Sequence, residues 1–299
     1  MKILLLGKNG QVGWELQRAL APLGEVIACD FDTPGELRAD FGQPESLRSL
    51  VRAVRPDVIV NSAAHTAVDQ AESEPDFARA LNATAPGVVA QEAATLGALM
   101  VHYSTDYVFD GSGSAPRDET ATTGPLSVYG RTKLEGEDGV RASGCRHLIL
   151  RTSWVYAARG GNFARTMLKL AAERDALNVI ADQFGAPTGA ELLADVTAHT
   201  LLRTRATPAL GGTYHCVAGG ETHWQGYASF VIEWARTHGV VIKVAAEAIQ
   251  AIPTSAYPTP AQRPLNSRLA THKLQSNFGL TLPHWQVGVE RMLTEVLGR

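Results

Sequence analysis

The chain has 299 residues, of which 45% are hydrophobic and 19% are charged, a composition typical of a globular protein with one or two domains. Its formal net charge of −3 gives no electrostatic reason to expect nucleic acid or a membrane as a partner, so we expect neither. The cysteines Cys29, Cys145 and Cys216 are far apart and form neither a disulfide framework nor a zinc motif. Without a recognisable targeting segment, this cysteine pattern favours a cytoplasmic location.

The first half of the chain alternates short apolar runs with helical patterns. The apolar runs predict strands at 2–6, 25–29, 57–60, 99–103 and 147–150. The helical patterns between them cover 11–23, 44–54, 75–96 and 129–141. This alternation predicts an α/β fold with a doubly wound parallel sheet of the Rossmann type. Ligands bind such sheets at the carboxyl ends of the strands.

The pattern loosens beyond residue 156. Helices are predicted at 162–173, 191–202, 227–238 and 287–297, and a proline-rich loop at 252–268. We predict a dinucleotide-binding domain over 1–152. Residues 153–299 are expected to form mainly a second, smaller substrate-binding domain, with some segments returning to the first sheet.

A glycine-rich turn follows the first strand and opens the first helix. Gly7, Gly10 and Gly13 allow a tight turn and close backbone approach, and the helix N-terminus favours a pyrophosphate. The spacing is G-x-x-G-x-x-G rather than G-x-G-x-x-G, so a purely structural turn is the alternative. Asp30 ends the second strand, where a carboxylate binds ribose hydroxyls and repels a 2′-phosphate, which favours NADH. Lys8 could offset that repulsion and admit NADPH, so both cofactors remain open.

Tyr129 and Lys133 lie four residues apart on a predicted helix, so they share one face. A cation beside a phenol lowers its pKa from about 10, which would give an acid–base group at neutral pH. The alternative is a solvent-facing helix pair. Thr105 adds a hydroxyl at the end of the fourth apolar run, and near a dinucleotide site this set predicts carbonyl reduction or alcohol oxidation. On weaker grounds, Asp40 and Phe41 could lie near the adenine.

Long stretches of the chain resemble the extended short-chain dehydrogenase/reductases, in particular the branch that reduces 4-keto sugar nucleotides. The resembling stretches are 7–16, 55–61, 63–69, 103–109, 151–156, 182–188, 253–260, 263–264 and 266–269. The resemblance implies NAD(P)H-dependent reduction of the C4 keto group of dTDP-4-dehydro-β-L-rhamnose. That reaction is the last step of dTDP-L-rhamnose biosynthesis, which supplies carbohydrate polymers such as lipopolysaccharide.

The resemblance also implies roles for individual residues. Tyr129 and Lys133 match the catalytic pair, and Thr105 matches the hydroxyl that polarises the reacting oxygen. The positions that match cofactor contacts, together with the glycine turn, are Gly10, Gln11, Val12, Asp30, Asp40, Phe41, Ala63, Ala64, His65, Tyr129 and Lys133. The positions that match sugar-nucleotide contacts are Thr105, Asp106, Tyr129 and Trp154.

Two further sites are expected. Arg263 lies in the proline-rich loop, where a guanidinium suits a pyrophosphate, although a surface arginine is the alternative. The resemblance implies a magnesium ion that links a homodimer through Glu15, Glu191 and Glu295. From the sequence alone these three would be interpreted as surface acids.

Two other functions compete with reduction. An epimerase or dehydratase acting on sugar nucleotides would use the same scaffold, but a dehydratase needs a second carboxylate where Tyr107 stands. A non-catalytic regulatory subunit is the other alternative. The intact set of Thr105, Tyr129 and Lys133 gives no positive support for that reading.

Overall fold

The computed structural model describes residues 1–298, and a six-stranded parallel sheet forms its centre. The strands follow the spatial order β10-β5-β4-β3-β1-β2. Their bounds are β1 Lys2–Leu6, β2 Glu25–Cys29, β3 Val58–Asn61, β4 Leu99–Thr105, β5 Arg146–Thr152 and β10 Gly212–His215. Short pairs elsewhere are formed by β6 Val155–Tyr156, β7 Leu177–Ile180, β8 Phe184–Gly185, β9 Thr188–Gly189, β11 Thr222–His223 and β12 Ile249–Ile252. The predicted doubly wound parallel sheet is confirmed.

Helices flank this sheet and build the second half of the chain. The first-half helices are α1 Gln11–Leu20, α2 Pro44–Val54, α3 Val68–Ser73, α4 Pro75–Arg79, α5 Ala85–Leu96 and α6 Val128–Ala142. The second-half helices are α7 Phe163–Glu173, α8 Ala190–Ala206, α9 Trp224–Thr237, α10 His272–Phe278 and α11 Trp285–Leu297. No helix within residues 1–298 is both long enough and apolar enough to cross a membrane.

Two of the predicted helices are shortened or interrupted in the structure, while those predicted at 191–202 and 227–238 extend to Ala206 and begin at Trp224, respectively. The predicted helix over 11–23 ends at Leu20, and a 3₁₀ turn follows over Ala21–Leu23, because Pro22 has no N–H to continue the α-helical ladder. The predicted helix over 75–96 is divided by a π-helical segment, Ala80–Thr84, between α4 and α5. This segment turns Asn82 fully into the interior.

The core lies on both faces of the sheet because the strands are apolar on both sides. Ile3 and Leu5 pack in the cluster that contains Leu16 of α1. Leu4 and Leu6 point to the opposite face and pack in the cluster that contains Val89 of α5. Alternate residues of one strand therefore anchor helices on opposite sides, as the two-residue period of a strand requires.

The second half of the chain contributes to this sheet and also builds its own clusters. Strand β10 pairs with β5, and α8 packs on α1. Separate apolar clusters join α7, α9 and α11 around Tyr227 and Ile232.

Helix α6 lies unusually close to the π-helical segment at one glycine. A Cβ atom on Gly136 would lie 2.1 Å from the carbonyl oxygen of Asn82. No side chain fits at that distance, so glycine is what allows the two backbones to touch. The contact fixes how deeply α6 sits against the sheet.

We predict that Gly136→Ala destabilises the protein by about 1–3 kcal/mol, the usual cost of overpacking. Alanine in a helix normally gains about 1 kcal/mol over glycine, so the predicted sign is opposite to helix propensity. Chemical denaturation would measure the free energy of unfolding. Gly161→Ala, where nothing lies within 4 Å of the added Cβ, is the control. Equal stability of the two variants would contradict the backbone contact.

Candidate active site

The glycine turn between β1 and α1 forms a backbone cradle. A Cβ on Gly7, whose φ is +87°, would lie 2.6 Å from the backbone nitrogen of Ala63, and one on Gly13 would lie 1.9 Å from the Gly7 carbonyl oxygen. Gly10 occupies the N-cap of α1 and offers no side-chain acceptor to the first N–H groups of the helix. These N–H groups can therefore bind an anion. This is the arrangement that the predicted pyrophosphate site needs.

A pocket of about 490 Å³ opens beside this cradle. The predicted cofactor residues that line it are Gly7, Gly10, Asp30, Asp40, Phe41, Ala63 and Ala64. Gln11 and Val12 form the first turn of α1, and the Gln11 amide oxygen lies 3.4 Å from Asn162 Nδ2. The structure thus brings the predicted dinucleotide residues to the carboxyl ends of β1, β2 and β3.

Asp30 is hydrogen-bonded rather than free in this pocket. Its carboxylate accepts the backbone N–H of Asn9 at 3.1 Å and that of Phe31 at 2.8 Å. Arg38 lines the same pocket and donates to Asp40 at 3.1 Å. The Ala39 N–H donates to the Asp30 carbonyl, so the loop that carries Arg38 is closed against Asp30.

The Tyr129 and Lys133 side chains both lie on the inward part of α6. Lys133 is 2% exposed, and its Nζ donates to the Tyr103 carbonyl of β4 at 2.6 Å. Burial lowers the pKa of Lys133 to about 8, against the opposing charge of Glu137. The alternative interpretation of the sequence was that Tyr129 and Lys133 form a solvent-facing helix pair. Because Lys133 is buried, it does not face solvent, and that alternative is excluded for the lysine.

The expected lowering of the Tyr129 pKa is wrong. Burial raises the pKa of Tyr129 to about 12; hydrogen bonding to Thr105 lowers it, and the negative charge of Asp106 raises it. Desolvation of the phenolate therefore outweighs any favourable charge at this site. At neutral pH the phenol is protonated, which suits a proton donor.

Thr105 ends β4 and faces the phenol. Its Oγ1 lies 2.9 Å from Asp106 Oδ1 and accepts the Tyr107 N–H at 3.1 Å. Asp106 is 2% exposed, and the rings of Tyr107 and Tyr129 meet edge to face at 5.5 Å. The predicted catalytic and substrate-binding residues of this loop therefore form one cluster at the carboxyl end of β4.

His65 belongs to the buried layer behind the cofactor pocket. Its backbone N–H donates to Asn82 Oδ1 at 2.8 Å, and Asn82 Nδ2 donates to the His65 carbonyl at 3.1 Å. The same Asn82 amide lies 3.2 Å from Thr132 Oγ1 on α6. One buried amide thus ties the cofactor loop to the helix that carries Tyr129 and Lys133.

A second pocket, of about 650 Å³, is lined mainly by the second half of the chain, with Asp69 contributed by the first half. Arg263 lines it and binds both carboxylate oxygens of Asp69, at 2.9 and 2.8 Å, across 194 residues. Trp154 has a φ of +49° and stacks on Trp224 with ring centroids 3.7 Å apart. A non-glycine residue in this backbone region costs on the order of 1–3 kcal/mol, and such strain clusters at functional sites.

The three glutamates predicted for a metal ion meet in a surface pocket of about 360 Å³. Glu15 lies 3.3 Å from Arg18 Nε, and Glu191 lies 3.3 Å from Arg291 Nε. Burial raises the pKa of Glu191; Arg291 lowers it, and the charges of Glu15 and Glu295 raise it. Within residues 1–298, no group of three His, Cys, Asp or Glu residues has the arrangement of a metal site.

Sequence reasoning missed several residues that shape the site. Arg38 was not selected, although it is the one basic residue between Asp30 and Asp40. Trp224 carried no motif, and only the fold brings it against Trp154. Asn82 lay inside a predicted helix, where the nearby Pro86 was the only hint of irregular structure.

Known proteins are similar to this chain in sequence and in structure. A relative from Shigella flexneri named dTDP-4-dehydrorhamnose reductase is 59% identical over 296 residues, which cover 99% of this chain and 98% of the relative. The crystal structure of a dTDP-4-dehydrorhamnose reductase from Clostridium acetobutylicum is similar, with a TM-score of 0.88, 35% identity and complete coverage of both chains.

A second solved structure has a cofactor. The dTDP-4-dehydrorhamnose reductase from Bacillus anthracis in complex with NADP has a TM-score of 0.86 and 32% identity, over 98% of this chain and 99% of that one. The family model of the RmlD substrate binding domain matches residues 1–297. With its glycine cradle, its Thr105, Tyr129 and Lys133 cluster and these matches, the chain belongs to the RmlD substrate binding domain family.

Proposed function

We propose that this chain reduces the C4 keto group of dTDP-4-dehydro-β-L-rhamnose with NADPH or NADH and forms dTDP-β-L-rhamnose. The observation that carries the proposal is the cluster of Thr105, Tyr129 and buried Lys133 beside a glycine cradle built for a dinucleotide. The identity of the proposed substrate comes from the names of the similar proteins. The pocket of about 650 Å³, with Asp69, Arg263 and Trp224 in its lining, offers room for a sugar nucleotide.

The chain's own groups would act on the carbonyl oxygen. A bound nicotinamide cofactor supplies the hydride, and negative charge then builds on the sugar oxygen. Thr105 and Tyr129 stabilise this oxygen by hydrogen bonding, and Tyr129, protonated at neutral pH, gives it a proton. Lys133, held by the Tyr103 carbonyl and one turn from Tyr129 on the same helix, would provide a positive charge that favours the phenolate that forms.

The direct test is cofactor oxidation by the purified chain when it is given the keto-sugar nucleotide. Oxidation that depends on both substrates supports the proposal. If the chain instead retains NAD and isomerises or dehydrates a sugar nucleotide without net oxidation of added cofactor, the proposal is wrong.

Tyr129→Phe should lower the turnover rate by roughly 10²–10⁴-fold, the scale of general acid–base catalysis. The ring stays, so cofactor binding should remain close to that of the unaltered protein. Steady-state turnover and a cofactor titration would check both expectations. Turnover close to normal would exclude Tyr129 as the proton donor.

We also propose that Arg38 favours NADPH over NADH. The Asp30 carboxylate already accepts two backbone N–H groups, so it is less available to ribose hydroxyls. Arg38 lines the same pocket and is exposed enough to turn from Asp40 toward a 2′-phosphate. An arginine near the adenosine ribose is a common partner for that phosphate.

Arg38→Ala should weaken NADPH binding by roughly 10- to 100-fold, which corresponds to the loss of about 1.5–3 kcal/mol for a hydrogen bond to a charged group. NADH binding should change little. Titration of each cofactor would measure this difference, with Arg203→Ala on the exposed end of α8 as the control. Equal losses for both cofactors would place Arg38 away from the 2′-phosphate.

A magnesium ion between two copies of the chain remains a proposal. Glu15, Glu191 and Glu295 bring negative charge together, and Glu191 is destabilised as an anion there. A hard cation bound by carboxylate oxygens and water would relieve that repulsion. The two arginine contacts show how each chain balances part of this charge by itself.

If the ion links two copies, chelation should shift the protein toward monomer without changing the activity of each intact dimer. Sedimentation with and without a chelator would measure this. Glu295→Gln should have the same effect as chelation, whereas Glu290→Gln, at an exposed position on the same helix, should not. A dimer fraction unchanged by chelator, in protein that contains no magnesium, would refute the proposal.

A further inference from the structure

The Thr105 hydroxyl has a limited set of hydrogen bonds to distribute. A hydroxyl donates one proton and accepts at two lone pairs. One lone pair is occupied by the Tyr107 N–H at 3.1 Å. Asp106 Oδ1 lies 2.9 Å from Thr105 Oγ1, so the protonation state of Asp106 decides which of the two oxygens is the donor.

An ionised Asp106 only accepts hydrogen bonds, so it takes the Thr105 proton. Thr105 then has only a lone pair left, so it can accept a hydrogen bond from the nearby Tyr129 phenol but cannot donate one. In this state the Thr105 proton is occupied and is not available to a sugar carbonyl. A neutral Asp106 reverses the bond, because its own O–H can donate to Thr105. Thr105 then accepts two bonds and has its proton free for the carbonyl oxygen.

The surroundings of Asp106 favour the neutral form more than those of an ordinary aspartate. The residue is 2% exposed, and its Oδ2 is buried without a hydrogen-bond partner among residues 1–298. An unpartnered charged oxygen is costly in the interior. Burial raises the pKa of Asp106 to about 6, while the nearby Ser267 and Thr105 hydroxyls and the backbone N–H groups of Asp106 and Tyr107 act in the opposite direction.

We propose that Asp106 is a positioning residue whose protonation sets the direction in which the Thr105 hydroxyl donates. This rests on the proposed function, because the carbonyl oxygen that receives the Thr105 hydrogen bond belongs to the substrate. The proton consumed in reduction comes from Tyr129, and the proton of Asp106 stays on its oxygen. Reduction therefore proceeds fastest when Asp106 is neutral.

The other ionisable groups around Asp106 keep one charge state near pH 6. Tyr107 and Tyr129 face it, and burial raises the pKa of both phenols, so both are neutral. Arg263 and Asp69, which act on Tyr107, form an ion pair that raises the pKa of the arginine and lowers that of the aspartate. Ser267 contributes only a hydroxyl.

The test measures the hydride-transfer rate in single turnovers from about pH 5 to about pH 9, with NADH as the cofactor. NADH is used because the 2′-phosphate of NADPH could itself titrate near pH 6, as phosphate monoesters do. We expect the rate to fall about tenfold or more as pH rises through about 6. The reason is that the reacting oxygen loses one hydrogen-bond donor, and removal of such a donor slows an enzyme by about 10²–10³-fold. A separate decline near pH 8, where Lys133 titrates, serves as an internal reference.

Asp106→Asn should abolish the decline near pH 6 and leave the one near pH 8. Asp110→Asn, at an exposed acid that pairs with Arg117, should keep both. A decline near pH 6 that persists in Asp106→Asn, or that is missing from the unaltered protein, overturns the proposal.

A second measurement does not depend on turnover. Infrared spectroscopy should detect a protonated carboxyl band in the unaltered protein that titrates near pH 6 and is absent from Asp106→Asn. A missing band would overturn the proposal. If the chain turns over no keto-sugar nucleotide at any pH while the band titrates as expected, the proposed function fails and the assignment of the neutral Asp106 stands.

Discussion

The site depends on a buried ion pair that fastens helix α6 to the sheet. Glu137 is fully buried, and both of its carboxylate oxygens bind Arg151 of β5, at 2.8 and 2.7 Å. Such a pair adds little net stability over apolar packing, but the loss of one partner leaves an uncompensated charge that costs about 3–5 kcal/mol. The main effect of the ion pair is therefore to fix the position of helix α6 on the sheet. One turn earlier on the same helix, Lys133 donates to the Tyr103 carbonyl.

The opposite side of α6 is positioned by backbone contact rather than by charge. Gly136 touches the Asn82 carbonyl, and the π-helical segment that carries Asn82 turns its amide toward His65 and Thr132. A regular helix over the same residues would rotate that amide away, since a π segment shifts the register of all that follows. The irregular segment thus couples the cofactor loop to the catalytic helix.

The sequence predicted those features of the structure that depend on short stretches of sequence. Alternating strands and helices predicted the sheet, and the glycine turn and the spacing of Tyr129 and Lys133 predicted where polar groups gather. Sequence reasoning failed where residues that are far apart in the chain determine a property of the site. The pKa of Tyr129 depends on burial beneath other segments, and the contact of Arg263 with Asp69 joins residues 194 positions apart. Neither has a signal within a short window of sequence. The roles of the individual site residues remain predictions.

The charge states in the cluster favour one direction of chemistry. Oxidation of an alcohol needs a base, and a phenol whose pKa is about 12 is almost entirely protonated at neutral pH. Reduction needs an acid, and in the proposed reaction the same phenol supplies the proton when charge builds on the carbonyl oxygen. Lys133, with a pKa of about 8, remains largely cationic at neutral pH. In the proposed reaction this cation, four residues from Tyr129 on the same helix, would favour the phenolate that proton transfer leaves. Burial thus holds Tyr129 in the protonated form that the proposed proton transfer requires.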